Sequence, residues 1–306
     1  MASPATSVAS ANASQPSQAG QPLWQRVVKL TIAPPLVGKP GKVKTQAAFV
    51  ISDLRVKFKT GKTLRKEPNT STVEVYNLTE AHRKQMQDDG TRIWLEAGYQ
   101  GATGQLFVGD ARYIVHSREK CDWQTKIELG DGERAYRFGR VQSSFKAGTT
   151  AGDILKAIVA QAGFDPGNVN DQTFKADLTA QQVSGWAFYG PGHKALDQVL
   201  GPIGYTWSVQ GNALQILPKK GYTPQAVILL DADHGLIGSP EMGSAKKAKG
   251  PRTLKVKCLL QPSLNPGGRI NLQSVSFHGV FVIQKVEHVG DTFAGEWFSE
   301  LEVQAV

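Results

Sequence analysis

The sequence predicts a mainly β chain with an inserted α+β module. Three observations carry this. Strict apolar/polar alternation recurs near both ends of the 306-residue chain, as one-sided burial of a strand requires. Two helix-period stripes occur only between residues 135 and 220. Glycine- and asparagine-bearing turns punctuate the alternating runs.

Length allows roughly two domains, and 40% hydrophobic residues suffice for packed cores. No apolar run approaches the roughly 20 residues of a membrane helix, so no stable membrane insertion is expected. Residues 1–22 carry no charge and little besides Ala, Ser, Gln and Pro. They lack a basic region followed by an apolar one, so they read as a flexible arm rather than a secretory signal. In an assembly such an arm would be held by a neighbouring subunit.

The first β region spans 23–134. Val27–Ile32 is a short strand closed by Pro34-Pro35. Leu54, Val56 and Phe58 alternate with Asp53, Arg55, Lys57 and Lys59, giving a wet face. Val73 and Val75 alternate with Thr72, Glu74 and Tyr76. These two runs should pair antiparallel across a long connection, Lys59–Asn69. Thr79 is a fitting N-cap for a helix over 80–89, ended by Gly90. Strands follow near Ile93–Ala97, Gln105–His116 and Gln124–Leu129.

The inserted module spans 135–220. Thr150-Ala151-Gly152-Asp153 is a capping signal before Ile154, Leu155, Ile158, Val159 and Ala162, which share one helix face and stop at Gly163. Ala195, Leu196, Val199, Leu200 and Ile203 repeat the stripe, with Gly204 at the stop. The hairpin Tyr205–Val209, Ala213–Leu217 turns at Gln210-Gly211-Asn212. The last β region spans 221–306. It holds Ala226–Leu230, Leu254–Leu260, Ile270–Ser274, and two runs, Phe281–Val286 and Trp297–Val303, flanking Gly290-Asp291 and Gly295.

Residues that could carry chemistry are sparse. Cys121 and Cys258 lie far apart without metal-ligand spacing and read as small buried apolar groups. Asp231-Ala232-Asp233-His234 could offer hard oxygens to a cation, but surface turn residues fit it better. Gly190-Pro191-Gly192-His193 before a helix could expose amides to phosphate, yet the P-loop lysine and the dinucleotide-binding acid are missing. Glu287 and Glu296 are the one carboxylate pair that a peptidoglycan hydrolase reading could use. His82, His116, His278 and His288 are scattered, and no nucleophile motif contains them. The sequons at Asn69 and Asn77 carry no weight without a secretion signal. No catalytic, cofactor-binding or metal-binding residue is therefore assigned. The net charge of +9 suggests a nucleic-acid-binding module as the alternative function. Its one tight run, Lys246-Lys247-Ala248-Lys249-Gly250-Pro251-Arg252, reads as a solvated loop.

A resemblance adds to this. Asn265-Pro266-Gly267, Gly279-Val280-Phe281-Val282-Ile283, Val286-Glu287-His288-Val289-Gly290-Asp291-Thr292, Glu296-Trp297 and Leu301-Glu302 resemble the C-terminal end of bacteriophage tail baseplate hub proteins. Ile51-Ser52-Asp53-Leu54-Arg55-Val56, Asn69-Thr70-Ser71, Val75-Tyr76-Asn77-Leu78-Thr79, Phe107-Val108-Gly109-Asp110, Trp123-Gln124-Thr125 and Gly130-Asp131-Gly132 resemble the family's opening strands. Gly185 to Leu200 resembles its inserted domain. The resemblance covers most of residues 24–306. It implies two tube-like β-barrel domains, a homotrimer joining a sixfold tail tube to a threefold central spike, and a conduit for genomic DNA. The implied partners are the tail tube or distal tube protein, the spike and other baseplate proteins. The implied place is the virion's tail tip, after assembly in the host bacterial cytoplasm. No enzymatic activity and no cofactor are implied.

Overall fold

The computed structural model describes residues 25–34, 47–86, 90–170, 178, 184–243 and 253–306. The N-terminal arm and the Lys246–Arg252 run lie outside these residues.

The first region contains β1 (Arg26–Ala33), β2 (Phe49–Ile51), β3 (Val56–Thr63), β4 (Thr70–Tyr76), α1 (Glu80–Gln85), β5 (Arg92–Tyr99), β6 (Ala102–Glu119) and β7 (Asp122–Gly130). The middle region contains α2 (Glu133–Phe138), β8 (Arg140–Phe145), α3 (Ala151–Ala162), a 3-10 turn (Gly167–Asn170), β9 (Trp186–Pro191), α4 (Gly192–Leu200), β10 (Tyr205–Gln210) and β11 (Ala213–Pro218). The last region contains β12 (Ile228–Leu230), β13 (Leu236–Met242), β14 (Thr253–Leu259), β15 (Arg269–Gln273), β16 (His278–Asp291) and β17 (Trp297–Ala305).

The first and last regions build one sheet. Its path runs β13-β14-β17-β16-β3-β4-β7-β6-β5-β1-β2, with β15 on β16 and β12 parallel to β15. Among the described residues this path does not close into a barrel. Among the described residues the two halves meet at one strand pair, β3 with β16, in which Lys285 to Asp291 face Thr63 to Lys57. A bulge makes this junction. The register of β16 against β17 shifts between Ile283 and Lys285. The inward set accordingly changes from Phe281 and Ile283 to Val286, His288 and Gly290. Before the bulge β16 pairs with β15, and after it with β3. One extra residue bends a strand and re-aims its side chains, and here it also hands the strand to a new neighbour.

Among the described residues three apolar clusters form. One gathers around Leu30, Phe58, Leu95, Phe107 and Leu129 of the first region, with Trp297 from β17. A second holds Ile154, Leu155, Ile158, Leu196, Leu200 and Trp207 of the middle region. A third holds Val256, Ile270, Ile283, Val286 and Leu301.

Several expectations need correction. β3 continues to Thr63, so the connection to β4 is short, and Lys62 is buried at 3% exposure. The second helix of the module starts at Gly192 and ends at Leu200, capped by Gly201, earlier than the Ile203-Gly204 stop. The strand before Asp231 is only Ile228–Leu230. Cys121 is exposed in the β6–β7 turn, whereas Cys258 is buried. Both capping signals act as expected. Thr79 Oγ1 accepts from the His82 amide at 3.3 Å, and Thr150 Oγ1 accepts from the Asp153 amide at 3.2 Å.

Candidate functional site: the two faces of the joined sheet

Cross-strand partners share a sheet face, so the register defines rows. On the outer face one row reads Glu241–Lys255–Glu302–Lys285 across β13, β14, β17 and β16. Another reads Asp291–Lys57–Glu74–Lys126 across β16, β3, β4 and β7. Charge alternates along both. Between them Lys59 Nζ lies 2.8 Å from Glu287 Oε1, and Lys285 Nζ lies 3.6 Å from Glu287 Oε2. Each lysine of these two rows stands in register beside a carboxylate, so positive charge is not concentrated along them.

The inner face carries a buried polar row. Ser71, Thr60, His288, Ser299 and Cys258 stand side by side on β4, β3, β16, β17 and β14. Ser71 is 1% exposed and the other four 0%. On one flank lies the row Trp297–Gly290–Phe58–Val73–Ile127, which feeds the first cluster. On the other lies Val256–Leu301–Val286–Lys62, whose apolar members feed the third. The polar row is thus what separates two cores on one side of one sheet.

His288 Nδ1 lies 2.8 Å from Ser299 Oγ, which also accepts from the Gln261 amide at 3.2 Å. Burial, and then the charge of Lys62, push the imidazole down to about 3, against an opposing contribution from the Leu264 backbone. Lys62 donates to Asn265 Oδ1 at 2.9 Å. Burial pushes its ammonium down to about 8, with Asp131 opposing. Thr60 Oγ1 and Ser71 Oγ find no hydrogen-bond partner among the described residues.

The same end of the sheet seats the middle region. Asn69, only 4% exposed, donates to the Val209 carbonyl at 2.6 Å and accepts from the Thr63 amide at 2.8 Å. Asp131 accepts from the Gly211 amide at 3.0 Å and from the Asn212 amide. Burial pushes its carboxyl up to about 6 despite these donors. Gln210 Nε2 donates to the Thr63 carbonyl at 2.7 Å.

The β16–β17 turn is clasped from outside. Arg55 grips Asp291 bidentately, at 3.2 Å and 2.7 Å, and stacks over Tyr76 at 4.9 Å. Burial pushes the Asp291 carboxyl up, but Arg55, the Phe293 amide and Lys57 outweigh it and hold it below its ordinary value.

The remaining sequence candidates resolve locally. Asp231 Oδ1 accepts from the Asp233 and His234 amides at 2.9 and 2.8 Å and lies 2.6 Å from His234 Nδ1. This is a self-satisfied turn, and no metal-ligating group of three forms among the described residues. At Gly192 an added Cβ would sit 2.5 Å from Ala162 Cβ, so helix packing demands that glycine. His193 stacks on Tyr136 at 4.5 Å. Glu287 faces Glu300 in register, while Glu296 sits exposed in the turn. His82 stacks on Phe49 at 4.1 Å, His116 lies 2.9 Å from Thr125 Oγ1, and His278 opens β16 opposite Gln273. The charge rows and the polar row were missed from sequence because both exist only after strands are paired.

No protein-family model matches the sequence, and no curated protein matches it. Solved structures do. A tail protein from Neisseria meningitidis MC58 is similar at a TM-score of 0.60 and 10% identity, over 92% of this chain and 97% of that one. The 43 kDa tail protein of prophage MuSo2 from Shewanella oneidensis gives 0.59 and 8%, over 91% and 98%. An E. coli type VI secretion component, described as similar to T4 bacteriophage tail proteins gp27 and gp5, gives 0.53 and 11%, over 83% and 74%. The chain has the fold of these tail proteins across nearly its whole length.

Proposed function

We propose that the chain is a structural baseplate hub of a phage tail. In this reading it forms a homotrimer that joins a sixfold tail tube to a threefold central spike and lines the DNA conduit. Residues 23–134 and 221–306 are the two tube-like units, 135–220 the inserted domain, and 1–22 an arm held by a neighbouring subunit. The tube protein, the spike and other baseplate proteins are its partners. It is built into the virion's tail tip in the host cytoplasm and performs no chemistry.

The observation that carries the reading is the single sheet. First and last regions, separated in sequence by the inserted module, fuse through β3 and β16, in a fold similar to solved tail proteins over 92% and 91% of this chain. The charge rows support a conduit. Affinity for DNA grows with each phosphate neutralised by a free cation, and a face whose lysines already have carboxylate neighbours holds a passing duplex weakly.

Mass photometry of the purified chain, alone and with the neighbouring spike protein, tests the reading. It predicts a trimer or a three-to-three complex. A chain that stays monomeric with every tail partner would overturn it.

A further inference from the structure

A cleft of about 450 Å³ opens where α2 and the end of α3 meet β5 and β6. Its chemistry is unlike that of the sheet. Arg134 and Arg140 line the cleft from the segment that follows Gly132, and Arg92 lines it from β5, while Arg112 and Arg137 stand outside the lining beside Glu133. Among the described residues two carboxylates answer them. Asp110 pairs with Arg92 at 2.8 Å. Glu133 takes both Arg112 and Arg137, the latter at 2.5 Å. Arg134 and Arg140 form no ion pair among the described residues, and both are exposed. Phe138, 69% exposed, stands at the rim.

The cleft also offers acceptors. α3 ends at Gly163, whose amide returns to the Val159 carbonyl. A helix leaves its last carbonyls without intrahelical donors, and Gln161, Ala162 and Gly163 line the cleft. Cationic forks beside a helix C-terminus suit a ligand bearing both anions and N–H groups. A peptide with acidic side chains supplies both, and its apolar side chains would cover the exposed Phe138. Guanidinium forks bind carboxylates bidentately, and arginine beside an exposed aromatic is the usual composition of an interface anchor.

We propose that this cleft is a docking site for an acidic, extended segment of a partner protein. The site stands on its own geometry and goes beyond the hub reading.

The test is fluorescence anisotropy on the full chain, with a labelled short peptide alternating Glu and Gly around one Leu. Two probes accompany it: the same peptide with Gln for Glu, and a labelled oligothymidylate of equal length. The Glu peptide should bind, weaken with added salt, and lose at least about tenfold in affinity, roughly 1.4 kcal/mol, in the Arg134→Gln/Arg140→Gln double variant. Lys84→Gln/Lys220→Gln, which removes equal charge elsewhere, should bind as wild type. Equal binding of the Gln peptide, unchanged affinity in the arginine variant, or equal loss in the lysine variant would overturn the site. Tighter binding of the oligothymidylate, lost in the arginine variant, would overturn it in favour of nucleic acid. Both variants change exposed side chains, and circular dichroism confirms their fold.

Discussion

Thr60 and His288 face each other across the strand pair that, among the described residues, unites the two halves of the sheet. Both are fully buried. The joint therefore rests on a polar contact row where an apolar one would hold more strongly. This arrangement has consequences for stability that can be measured residue by residue.

His288 should govern part of the acid response. Its folded value of about 3 lies below the ordinary 6.5. Its contribution is thus present above pH 6.5 and is lost as pH falls towards 3. Asp131 acts oppositely: raised to about 6, its contribution is full below the ordinary carboxylate value and is lost as pH rises through 6. The comparison with His288→Gln isolates the imidazole. Urea midpoints measured from pH 7 to 4 should fall more steeply in wild type, by on the order of 3 kcal/mol. Parallel curves would show that His288 is hydrated in the folded state.

Thr60→Val should stabilise the protein by roughly 1 kcal/mol. The two side chains have the same shape, and the hydroxyl is buried without a partner among the described residues, so removing it removes a desolvation cost. Urea denaturation checks this, and a destabilised variant would reveal a bound water at the row.

Gly290→Ala should cost on the order of 1–3 kcal/mol by overpacking. An added Cβ would lie 2.4 Å from Phe58 Cζ and 2.8 Å from Trp297 Cε3, two rings already in edge contact at 5.5 Å. Combining it with Phe58→Leu should recover part of the loss in urea midpoint.

Asp291→Ala should cost more than Glu287→Ala. The Asp291 side chain is 6% exposed and is held by Arg55, so its loss leaves a partly buried guanidinium unpaired, worth roughly 3 kcal/mol. Glu287 makes looser surface pairs at 20% exposure, worth about 1 kcal/mol or less. Paired melting curves give the ranking, and equal costs would contradict the clasp.

Much of this fold was legible in the sequence. Period-2 runs placed most strands, and Thr79 and Thr150 announced their helices through capping chemistry. What was hidden required partners. Lys62 fell inside the expected connection Lys59–Asn69, where a lysine is normally solvated. Its burial comes from β3 extending to meet β16, a pairing between residues more than two hundred positions apart. Asn69 looked like an idle sequon, yet it fastens the inserted module. The bulge at Gln284 has no glycine or proline to mark it. The charge rows alternate across strands rather than along them, so no single stretch displays them.

A reconstruction by electron cryomicroscopy of the chain assembled with its tube and spike proteins tests the central claim most directly. The account predicts a threefold ring in which the face bearing Lys57, Glu74, Lys285 and Glu302 lines the lumen. A ring with that face turned outward, or an assembly without threefold symmetry at this chain, would contradict it.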